Sequence, residues 1–196
     1  TPLSNFSRPM KKGIIAALLD EGDTLIGATI TDGKQDIMLF SDAGKCVRFD
    51  ESNVRPMGRG SRGVRGMKIE KGQFVISMLS APNTIFEEKS KKEVSVFLAT
   101  KNGYGKRTPL EEFTRHGRGT KGMISIQTST RNGVAIGASL VNETDEIMLI
   151  SDNGILVRTR VSEVREMGRA TQGVRLINLD NNQSLVGFQK ISEDDI

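Results

Sequence analysis

The chain alternates between short apolar runs and clusters of turn-forming residues, and this pattern recurs about every fifty residues. The runs are six to eight residues long and rich in β-branched residues, which is typical of strands and not of helices. In each repeat, a run of apolar and small residues precedes a second apolar run. The first runs are 24–31, 74–80 and 134–141, and the second runs are 36–41, 94–100 and 146–151. We therefore predict two consecutive strands in each unit.

A turn and a third apolar run complete the pattern. The turns are 42–44, 101–103 and 152–154, and the third strands are predicted at 46–49, 105–108 and 156–159. Two of the turns contain Asn-Gly, a strong hairpin signal in which both turn residues take positive φ. A polar connection and a fourth strand follow. This predicts an all-β chain of four-stranded antiparallel blades arranged like those of a propeller.

A glycine-rich loop marks the same point of each unit. The loops are 58–63, 117–122 and 168–173, and a fainter copy occupies 8–13. The final glycines Gly63, Gly122 and Gly173 are 59 and 51 residues apart. Units with such a period stack, because each has an apolar face to bury. The predicted division is a partial blade at 1–19, blades at 20–69, 70–126 (with a charged hairpin insertion at 86–93) and 127–177, and a closing strand with the start of an acidic tail at 178–196.

Two of the loops spell G-x-G-x-x-G, a pattern that also occurs in dinucleotide-binding proteins. That site requires a helix directly after the glycines, with the pyrophosphate at the helix N-terminus. Here the loops precede 64–69 and 123–126, which are short β-branched segments without a helical period. A kinase glycine loop is excluded as well, because no V-A-I-K strand or H-R-D loop follows. We do not interpret these loops as nucleotide sites.

Positive charge gathers around the glycine-rich loops. The chain has 28 basic and 24 acidic residues, and its net charge is only +4. Residues 45–68 nevertheless carry a charge of +5, residues 101–121 carry +4, and residues 158–175 carry +3. A basic patch that returns at one point of every unit is typical of a surface that binds a polyanion.

The remaining composition argues against a secreted protein, a membrane protein and an enzyme. A single cysteine predicts a reducing, cytoplasmic location, and no apolar run approaches the length of a membrane span. The chain opens on Thr-Pro-Leu, from which we expect a piece of a longer protein. His116 and Cys46 have no counterparts in the other units, and no metal or triad motif occurs. We interpret His116 as a loop residue and Cys46 as a small packing residue, and we expect no catalytic residue, metal or cofactor in this chain.

One arginine and one hydroxyl recur in all three loops. The arginines are Arg59, Arg118 and Arg169, the hydroxyl residues are Ser61, Thr120 and Thr171, and the next residues are Arg62, Lys121 and Gln172. Guanidinium groups, hydroxyls and glycine N–H groups are those that hold phosphate oxygens. The alternative is that the glycines form only a tight turn and that the arginine bridges adjacent blades.

A second arginine column, Arg48, Arg107 and Arg158, falls on the third strands. Here a structural role, as a charged guard of an edge strand, and a phosphate contact are equally open. Val54, Phe113 and Val164 are predicted to anchor the connection to the core. The predicted phosphate-contacting residues are Arg48, Arg55, Arg59, Ser61, Arg62, Arg65, Lys106, Arg107, Arg115, Arg118, Thr120, Lys121, Arg158, Arg160, Arg165, Arg169, Thr171 and Arg175.

Three segments, 102–108, 120–126 and 156–163, resemble the C-terminal domain of the bacterial DNA gyrase A protein, and the similarity runs through nearly the whole chain. The resemblance implies a β-pinwheel whose rim wraps duplex DNA with little sequence preference. It implies a non-catalytic module of an ATP-dependent type IIA topoisomerase that introduces negative supercoils. The implied partners are the rest of the gyrase A protein and the gyrase B protein in an A2B2 enzyme on the bacterial nucleoid. The cleaving tyrosine, the magnesium site and the ATPase of such an enzyme lie in other domains.

One family feature is missing, because no Gln-Arg-Arg-Gly box occurs here. We expect the chain to start inside the second blade and to hold about four of the family's usual six units. The related domain of the topoisomerase IV A protein, which lacks the full box, is the first alternative. A protein-binding propeller of the chromosome-condensation-regulator type and an enzyme that uses the propeller face are the others. The former would not need basic residues in the same loop of each unit.

Overall fold

The structure of this chain is a computed structural model that describes residues 1–83, 94–180 and 182–191. The hairpin tip predicted at 86–93 and the acidic residues 193–195 lie outside the described residues. The described part consists of β-strands, short 3-10 helices and loops, without an α-helix. Within it, no helix is long and apolar enough to cross a membrane.

Eight of the nine strands predicted from the three apolar runs form, and their ends shift by at most two residues. The strands are β1 (Gln35–Ser41), β2 (Lys45–Asp50), β3 (Val75–Pro82), β4 (Val94–Thr100), β5 (Tyr104–Pro109), β6 (Met123–Ile124), β7 (Ala135–Asn142), β8 (Glu146–Ser151), β9 (Leu156–Arg160), β10 (Val174–Arg175) and β11 (Leu185–Ile191). The 3-10 helices are Leu3–Phe6, Glu51–Asn53, Leu110–Glu112 and Val161–Glu163.

The strand predicted at 24–31 is wrong, because these residues are exposed and form no strand. The corresponding strands of the later units, β3 and β7, pair with β1 and β4, which lie about forty residues earlier in the chain. Residues 1–23 contain no strand that could pair with 24–31 in this way. Without a partner, the backbone N–H and C=O groups of a strand have no ladder to join, so an apolar pattern alone does not form one.

The strands form three antiparallel sheets, and each sheet takes strands from more than one predicted unit. The first sheet has the order β3-β1-β2-β6, the second β10-β5-β4-β7 and the third β11-β8-β9. In the first sheet, β1 and β2 belong to the predicted unit 20–69, whereas β3 and β6 belong to the unit 70–126. The repeat pattern had predicted all four strands of a blade within one unit. Successive repeats instead exchange strands, and ladder hydrogen bonds therefore connect them.

The hairpin turns contain one positive φ and not the two that Asn-Gly suggested. Gly44, Gly103 and Gly154 have φ of 71°, 79° and 84°, while Asn182 is the only other residue type with positive φ in the described part. The glycine N–H of each turn donates to a carbonyl three residues earlier, for example Gly44 to Ser41 at 2.9 Å. This is a three-residue hairpin loop with glycine at the left-handed position.

Two apolar layers join the sheets face to face. The layer between the first and second sheets includes Met38, Phe40, Cys46, Val96, Leu98 and Phe113, and the layer between the second and third includes Phe97, Ala99, Val141, Ile147, Leu149 and Val164. The predicted anchors Phe113 and Val164 are buried in these layers, and Val54 packs on the free face of the first sheet. Each inner sheet face is thus covered by its neighbour, as in a propeller.

The sheets converge at β3, β7 and β11, where β7 contacts both of the others. The opposite edges of the first and second sheets carry β6 and β10, each directly preceded by a glycine-rich loop. We call this side of the molecule, with the loops 58–63, 117–122 and 168–173, the rim. The second loop lies beside β2 and the third beside β5, so each of them packs on the sheet of the preceding repeat.

Candidate nucleic-acid interface

The final glycine of every loop, including the faint copy at 8–13, takes the same left-handed conformation. Gly13, Gly63, Gly122 and Gly173 have φ of 77°, 83°, 73° and 80°. Residues with a Cβ rarely adopt this conformation. A Cβ on Gly173 would also lie 2.6 Å from the carbonyl oxygen of Gly105 on β5. The third loop therefore needs glycine both for its φ and for its close approach to the sheet.

The repeated arginine of each loop donates a hydrogen bond to the preceding loop region. The Nη1 atoms of Arg59, Arg118 and Arg169 lie 2.7, 3.0 and 3.1 Å from the carbonyl oxygens of Ile15, Arg65 and Ile124. Each of these acceptors stands two residues after a final glycine. The same contact therefore links every pair of successive loops, including the pair formed with the faint copy.

A second repeated hydrogen bond joins the same pairs of loops. The backbone N–H groups of Leu18, Lys68 and Gln127 donate to the carbonyl oxygens of Ser61, Thr120 and Thr171, at 3.1, 2.9 and 2.9 Å. Each donor stands five residues after a final glycine. We call these two repeated bonds the rim ladder. The rim ladder links successive loops by hydrogen bonds that are additional to those of the sheet ladders.

The rim ladder gives the repeated arginines a structural role, which was the alternative to phosphate contact. All three are half-buried, and Arg118 donates a further bond from Nε to the carbonyl oxygen of Asn53 at 2.9 Å. Hydrogen bonds with a charged donor are stronger than neutral ones. Phosphate contact by these three arginines stays a prediction, but their geometry favours more exposed neighbours for that role.

The second arginine column points partly inward. Arg48 is 6% exposed, pairs with Asp36 and donates to the carbonyl oxygen of Phe113 at 2.6 Å. Arg107 donates to the equivalent carbonyl, that of Val164, at 2.9 Å. Both arginines thus tie an outer strand to the anchor that follows the next hairpin. Arg48 is not accessible to a phosphate, whereas Arg158 of the third sheet is half-exposed.

Asp36 is fully buried and binds two arginines of the predicted site. Besides Arg48, it contacts Nη2 of Arg115 at 2.8 Å, and Asp50 lies 3.5 Å from Nη1 of Arg115. Burial lowers the pKa of Arg48, and the hydrogen bond and charge of Asp36 oppose this shift. Arg115 is therefore held by carboxylates although its side chain is 44% exposed.

Lys106 was predicted to contact phosphate, but it is fully buried beneath the third loop. Its Nζ donates to the carbonyl oxygens of Gly168 and Arg169 at 2.7 and 2.6 Å and to Oγ1 of Thr171 at 3.2 Å. Thr171 in turn donates to the Gly168 carbonyl at 2.9 Å. Lys106 thus organises the loop from inside. Burial lowers the pKa of its amine to about 8.

This lowered pKa predicts a pH dependence of folding stability. The ordinary lysine value is 10.5, so between about pH 8 and 10.5 the unfolded chain binds more protons than the folded chain. The contribution of Lys106 to the free energy of unfolding should therefore rise with pH in this window, by at most about 3 kcal/mol. Urea unfolding of wild type and Lys106→Met between pH 7 and 10 isolates this contribution as a difference. A difference that stays constant over the window would contradict the expectation.

Most of the other predicted residues are exposed along the rim and next to it. The exposed ones are Arg55, Arg62, Arg65, Arg115, Thr120, Lys121, Arg158, Arg160, Arg165 and Arg175, and Ser61 is half-buried. Arg62 and Lys121 form solvent-exposed pairs with Asp20 and Glu70, at 3.1 and 3.7 Å. Such pairs contribute little stability, so they leave the cations available to another anion. The side chains of Arg55, Arg65, Arg160 and Arg165 have no ion-pair or hydrogen-bond partner among the described residues.

Three residues that carry no repeated sequence signal shape the third loop and its surroundings. Oε2 of Glu112 accepts the backbone N–H of Arg169 at 3.0 Å. Asn132 is buried and donates to the carbonyl oxygens of Gln127 and Gln172 at 2.9 and 3.0 Å. Arg131 lies over the ring of Tyr104, with Cζ 4.7 Å from the ring centroid. Repetition could not reveal Arg131, because the linkers of the other repeats contain no arginine.

Two residues were considered for catalysis, and one of them lies in the apolar core and the other in an exposed loop. Cys46 is buried in the first apolar layer, where burial raises the pKa of its thiol. His116 lies in an exposed loop, and its backbone N–H donates to the carbonyl oxygen of Arg48 at 2.8 Å. Among the described residues, no three His, Cys, Asp or Glu side chains are grouped as metal ligands would be.

The family described as "DNA gyrase C-terminal domain, beta-propeller" matches residues 1–32, 35–82, 95–142 and 145–192. Each of the last three matched segments contains three strands that are neighbours in one sheet. These strands are β1, β2 and β3 in the first sheet, β4, β5 and β7 in the second, and β8, β9 and β11 in the third. The DNA gyrase A protein of Pseudomonas aeruginosa is 53% identical over 98% of this chain and 20% of its own length. The DNA gyrase A protein of Salmonella typhimurium is 46% identical over 98% of this chain and 21% of its own length. The chain thus spans about a fifth of these relatives.

Solved structures show the same fold. A DNA gyrase A C-terminal domain superimposes with a TM-score of 0.79 and 30% identity, covering 92% of this chain and 58% of that structure. The C-terminal domain of a DNA topoisomerase IV gives a TM-score of 0.88 at 22% identity, covering 98% of this chain and 58% of that structure, and shows the fold alone. These likenesses confirm the predicted all-β, propeller-like β-pinwheel. With strand-exchanged blades, an ordered series of glycine loops and a family match through nearly its whole length, this chain belongs to the DNA gyrase C-terminal domain family.

Proposed function

We propose that this chain binds duplex DNA through its phosphates and bends it around the rim, as the DNA-wrapping, non-catalytic domain of a DNA gyrase A protein. The observation that carries the proposal is the rim ladder, which holds three basic loops at fixed spacing along one side of the molecule. Cations on rigid, evenly spaced supports can contact phosphates of one continuous duplex. Phosphate contacts of this kind supply sequence-independent affinity.

The proposed contacts are the exposed cations of the rim and not the buried ones. Arg65, Lys121 and Arg165 represent the three loop regions, and each is exposed. The repeated arginines act below them as supports, because one guanidinium N–H of each is bonded to the neighbouring loop. Lys106 supports the third loop in the same sense. In each loop region, the exposed cation is thus proposed to contact DNA, while a different residue holds the loop in position.

A duplex must bend to contact more than one loop of a curved rim. Bending a short duplex costs on the order of a few kcal/mol, which additional phosphate contacts have to offset. Little base preference is expected, because the rim offers charge and loops in place of a strand or helix for a groove. The chain has no Trp and one Tyr, and four of its eight Phe residues are buried, so the part of the chain that the structure describes offers few aromatic side chains for stacking single strands.

The proposal extends to the complete protein. The curated relatives are DNA gyrase A proteins, so the partners proposed here are the rest of the gyrase A protein and the gyrase B protein in an A2B2 enzyme. Wrapping by this domain would direct an ATP-dependent strand passage toward negative supercoils. The ATP and magnesium sites and the cleavage chemistry are proposed to lie elsewhere in that enzyme. The proposed location is the cytoplasm, on the nucleoid.

Removing exposed rim cations should weaken DNA binding and its salt dependence. The triple variant Arg65→Gln, Lys121→Gln, Arg165→Gln keeps the backbone bonds of the rim ladder. Three lost phosphate contacts should reduce the slope of log K against log salt by about 2.7, from about 0.9 per contact. Fluorescence anisotropy with a labelled duplex at several salt concentrations measures the slope. In the complete enzyme, the same variant should introduce fewer negative supercoils and still cleave DNA.

The matched control removes three exposed or half-exposed charges that belong neither to the three loops nor to the predicted phosphate contacts, by Lys34→Gln, Lys71→Gln and Lys190→Gln. It should change the slope by much less than the rim variant. Unrelated duplexes should compete almost equally, and single strands should compete poorly. Equal slopes for the rim variant, the control and wild type would refute the rim assignment. Absence of duplex binding by wild type would favour the protein-binding alternative.

A further inference from the structure

A cluster of two arginines and a tyrosine lies where the third loop meets the second sheet. Cζ of Arg131 is 4.7 Å and Cζ of Arg175 is 5.5 Å from the centroid of the Tyr104 ring. Nη2 of Arg175 donates to the Tyr104 hydroxyl at 3.0 Å. Tyr104 is only 7% exposed, while both arginines are exposed. Both guanidinium groups therefore lie against the Tyr104 ring, and cation–π attraction stabilises this arrangement.

The backbone that carries Arg131 is fixed in place. The side-chain amide of Asn102 donates to the carbonyl oxygens of Thr130 and Arg131 at 3.2 and 3.1 Å. Asn132 bonds this linker to Gln172 of the third loop. Arg175 stands two residues after Gly173, the end of the same loop. Hydrogen bonds of the linker and the fixed end of the third loop thus hold Arg131 and Arg175 in position without a ligand.

The positive charge of this cluster is not balanced by the described part of the chain. Neither Arg131 nor Arg175 forms an ion pair with a described residue. Hydrogen bonds, first from Arg175 and then from Arg131, lower the pKa of the Tyr104 hydroxyl, as expected for a group beside two cations. Holding two like charges on one ring costs Coulomb energy. An anion between or above them would relieve that cost.

The cluster is specific to the second sheet and its linker, which we call the second blade; the first and third blades are the first and third sheets with their linkers. The equivalent of Tyr104 is Lys45 in the first blade and Ile155 in the third. The linker of the second blade begins with Ser129, where the corresponding linkers begin with the acids Glu70 and Asp180. Tyr104 and Arg131 therefore did not arise from the repeat, whereas Arg175 stands at the position that Arg65 holds after the first loop. Their combination points to a separate binding role.

We propose that Arg131, Arg175 and Tyr104 form a binding site for phosphates of the DNA backbone, through which the duplex extends from the third loop toward the 101–103 turn of the second blade. The two guanidinium groups supply planar donors that match phosphate oxygens, and the Tyr104 hydroxyl fixes Arg175. This site rests on the proposed function and adds a direction to the DNA path. On this path, the duplex passes over the three repeated loops and then turns away from them at the second blade.

Tyr104 is the only tyrosine of the chain, so a 3-fluorotyrosine label gives a single 19F NMR signal at this site. A short duplex titrated into the labelled protein should shift that signal and saturate with DNA binding. The variant Arg131→Gln, Arg175→Gln should lose the shift, and its log–log salt slope should fall by about 1.8. The matched control Lys34→Gln, Lys71→Gln removes the same charge and should keep both. Thermal unfolding followed by circular dichroism checks that the variants are folded.

The rim triple variant separates the two proposals. If the rim triple variant lowers the salt slope, but duplex DNA does not shift the Tyr104 signal of the wild-type protein, the rim assignment is supported and this site is refuted. If inorganic phosphate at the same phosphate concentration shifts the signal and duplex does not, the cluster binds free anions and the DNA assignment is wrong. If the arginine double variant keeps the wild-type slope and shift, the cluster is not a phosphate site. A wild type that binds no duplex refutes both proposals.

Discussion

Replacing Asp36 by Ala is expected to lower the free energy of unfolding by about 3 to 5 kcal/mol. The carboxylate is fully buried and accepts Arg48 Nε at 2.7 Å, while Arg115 Nη2 lies at 2.8 Å. The substitution leaves the Arg48 guanidinium buried without its counter-charge, and the desolvation of that cation is then uncompensated. Because Arg48 also binds the carbonyl of Phe113, the loss should spread to the first apolar layer. Urea unfolding at neutral pH measures the effect.

The repeat supplies a matched control for this substitution. Glu146 stands at the position equivalent to Asp36 and pairs with Arg158, but the two side chains are 24% and 50% exposed. Glu146→Ala should therefore cost at most about 1 kcal/mol, as for other exposed pairs. Similar losses for the two variants would show that burial does not decide the strength of this contact. A small loss for both would contradict the role assigned to Asp36.

Gly122→Ala is the second large expected effect, a loss of roughly 2 to 5 kcal/mol. Gly122 has φ of 73°, where a Cβ costs roughly 1 to 2 kcal/mol. The added Cβ would also overlap the carbonyl oxygen of Cys46 and lie 3.0 Å from Cγ1 of Val47, so β2 or the second loop must move at a cost of about 1 to 3 kcal/mol. Thermal and urea unfolding measure the total.

Gly63→Ala separates the two causes. Gly63 has φ of 83°, yet a Cβ there meets no atom within 4 Å. Its loss should be limited to the backbone strain of roughly 1 to 2 kcal/mol. The difference between the two variants then measures how closely the second loop packs on β2. Equal losses would mean that the loop moves away from the sheet at no cost.

The strands from β1 onward could be predicted from the sequence because their signals are local. Alternation of apolar and polar residues and the glycine of each turn act within a few residues, and β4 and β8 form at the predicted residues. The faint copy at 8–13 was also recognisable, since Gly13 has the φ of the later glycines and its neighbours Ile15 and Leu18 join the rim ladder. The hairpin pairs β1–β2, β4–β5 and β8–β9 follow from the turns, but the partners of the other strands were not predictable in this way. Their pairing depends on residues that are about forty or more positions apart, and the run at 24–31 shows that an apolar pattern without a partner forms no strand.

The candidate site also combines features that are visible in the sequence with features that depend on the fold. The residues that recur, namely the glycines, the arginines and the excess of positive charge at one point of each unit, are visible in the printed chain. What each cation contacts emerged only from packing: Arg118 bonds to a neighbouring loop, Arg48 and Lys106 are buried, and Arg65 faces solvent. One signal of burial was present, since Lys106 shares its column with Val47 and Val157. The physical reason is that a guanidinium or an amine binds a phosphate oxygen and a backbone carbonyl oxygen by the same hydrogen bonds, so residue type leaves the acceptor open until the fold brings one acceptor within reach.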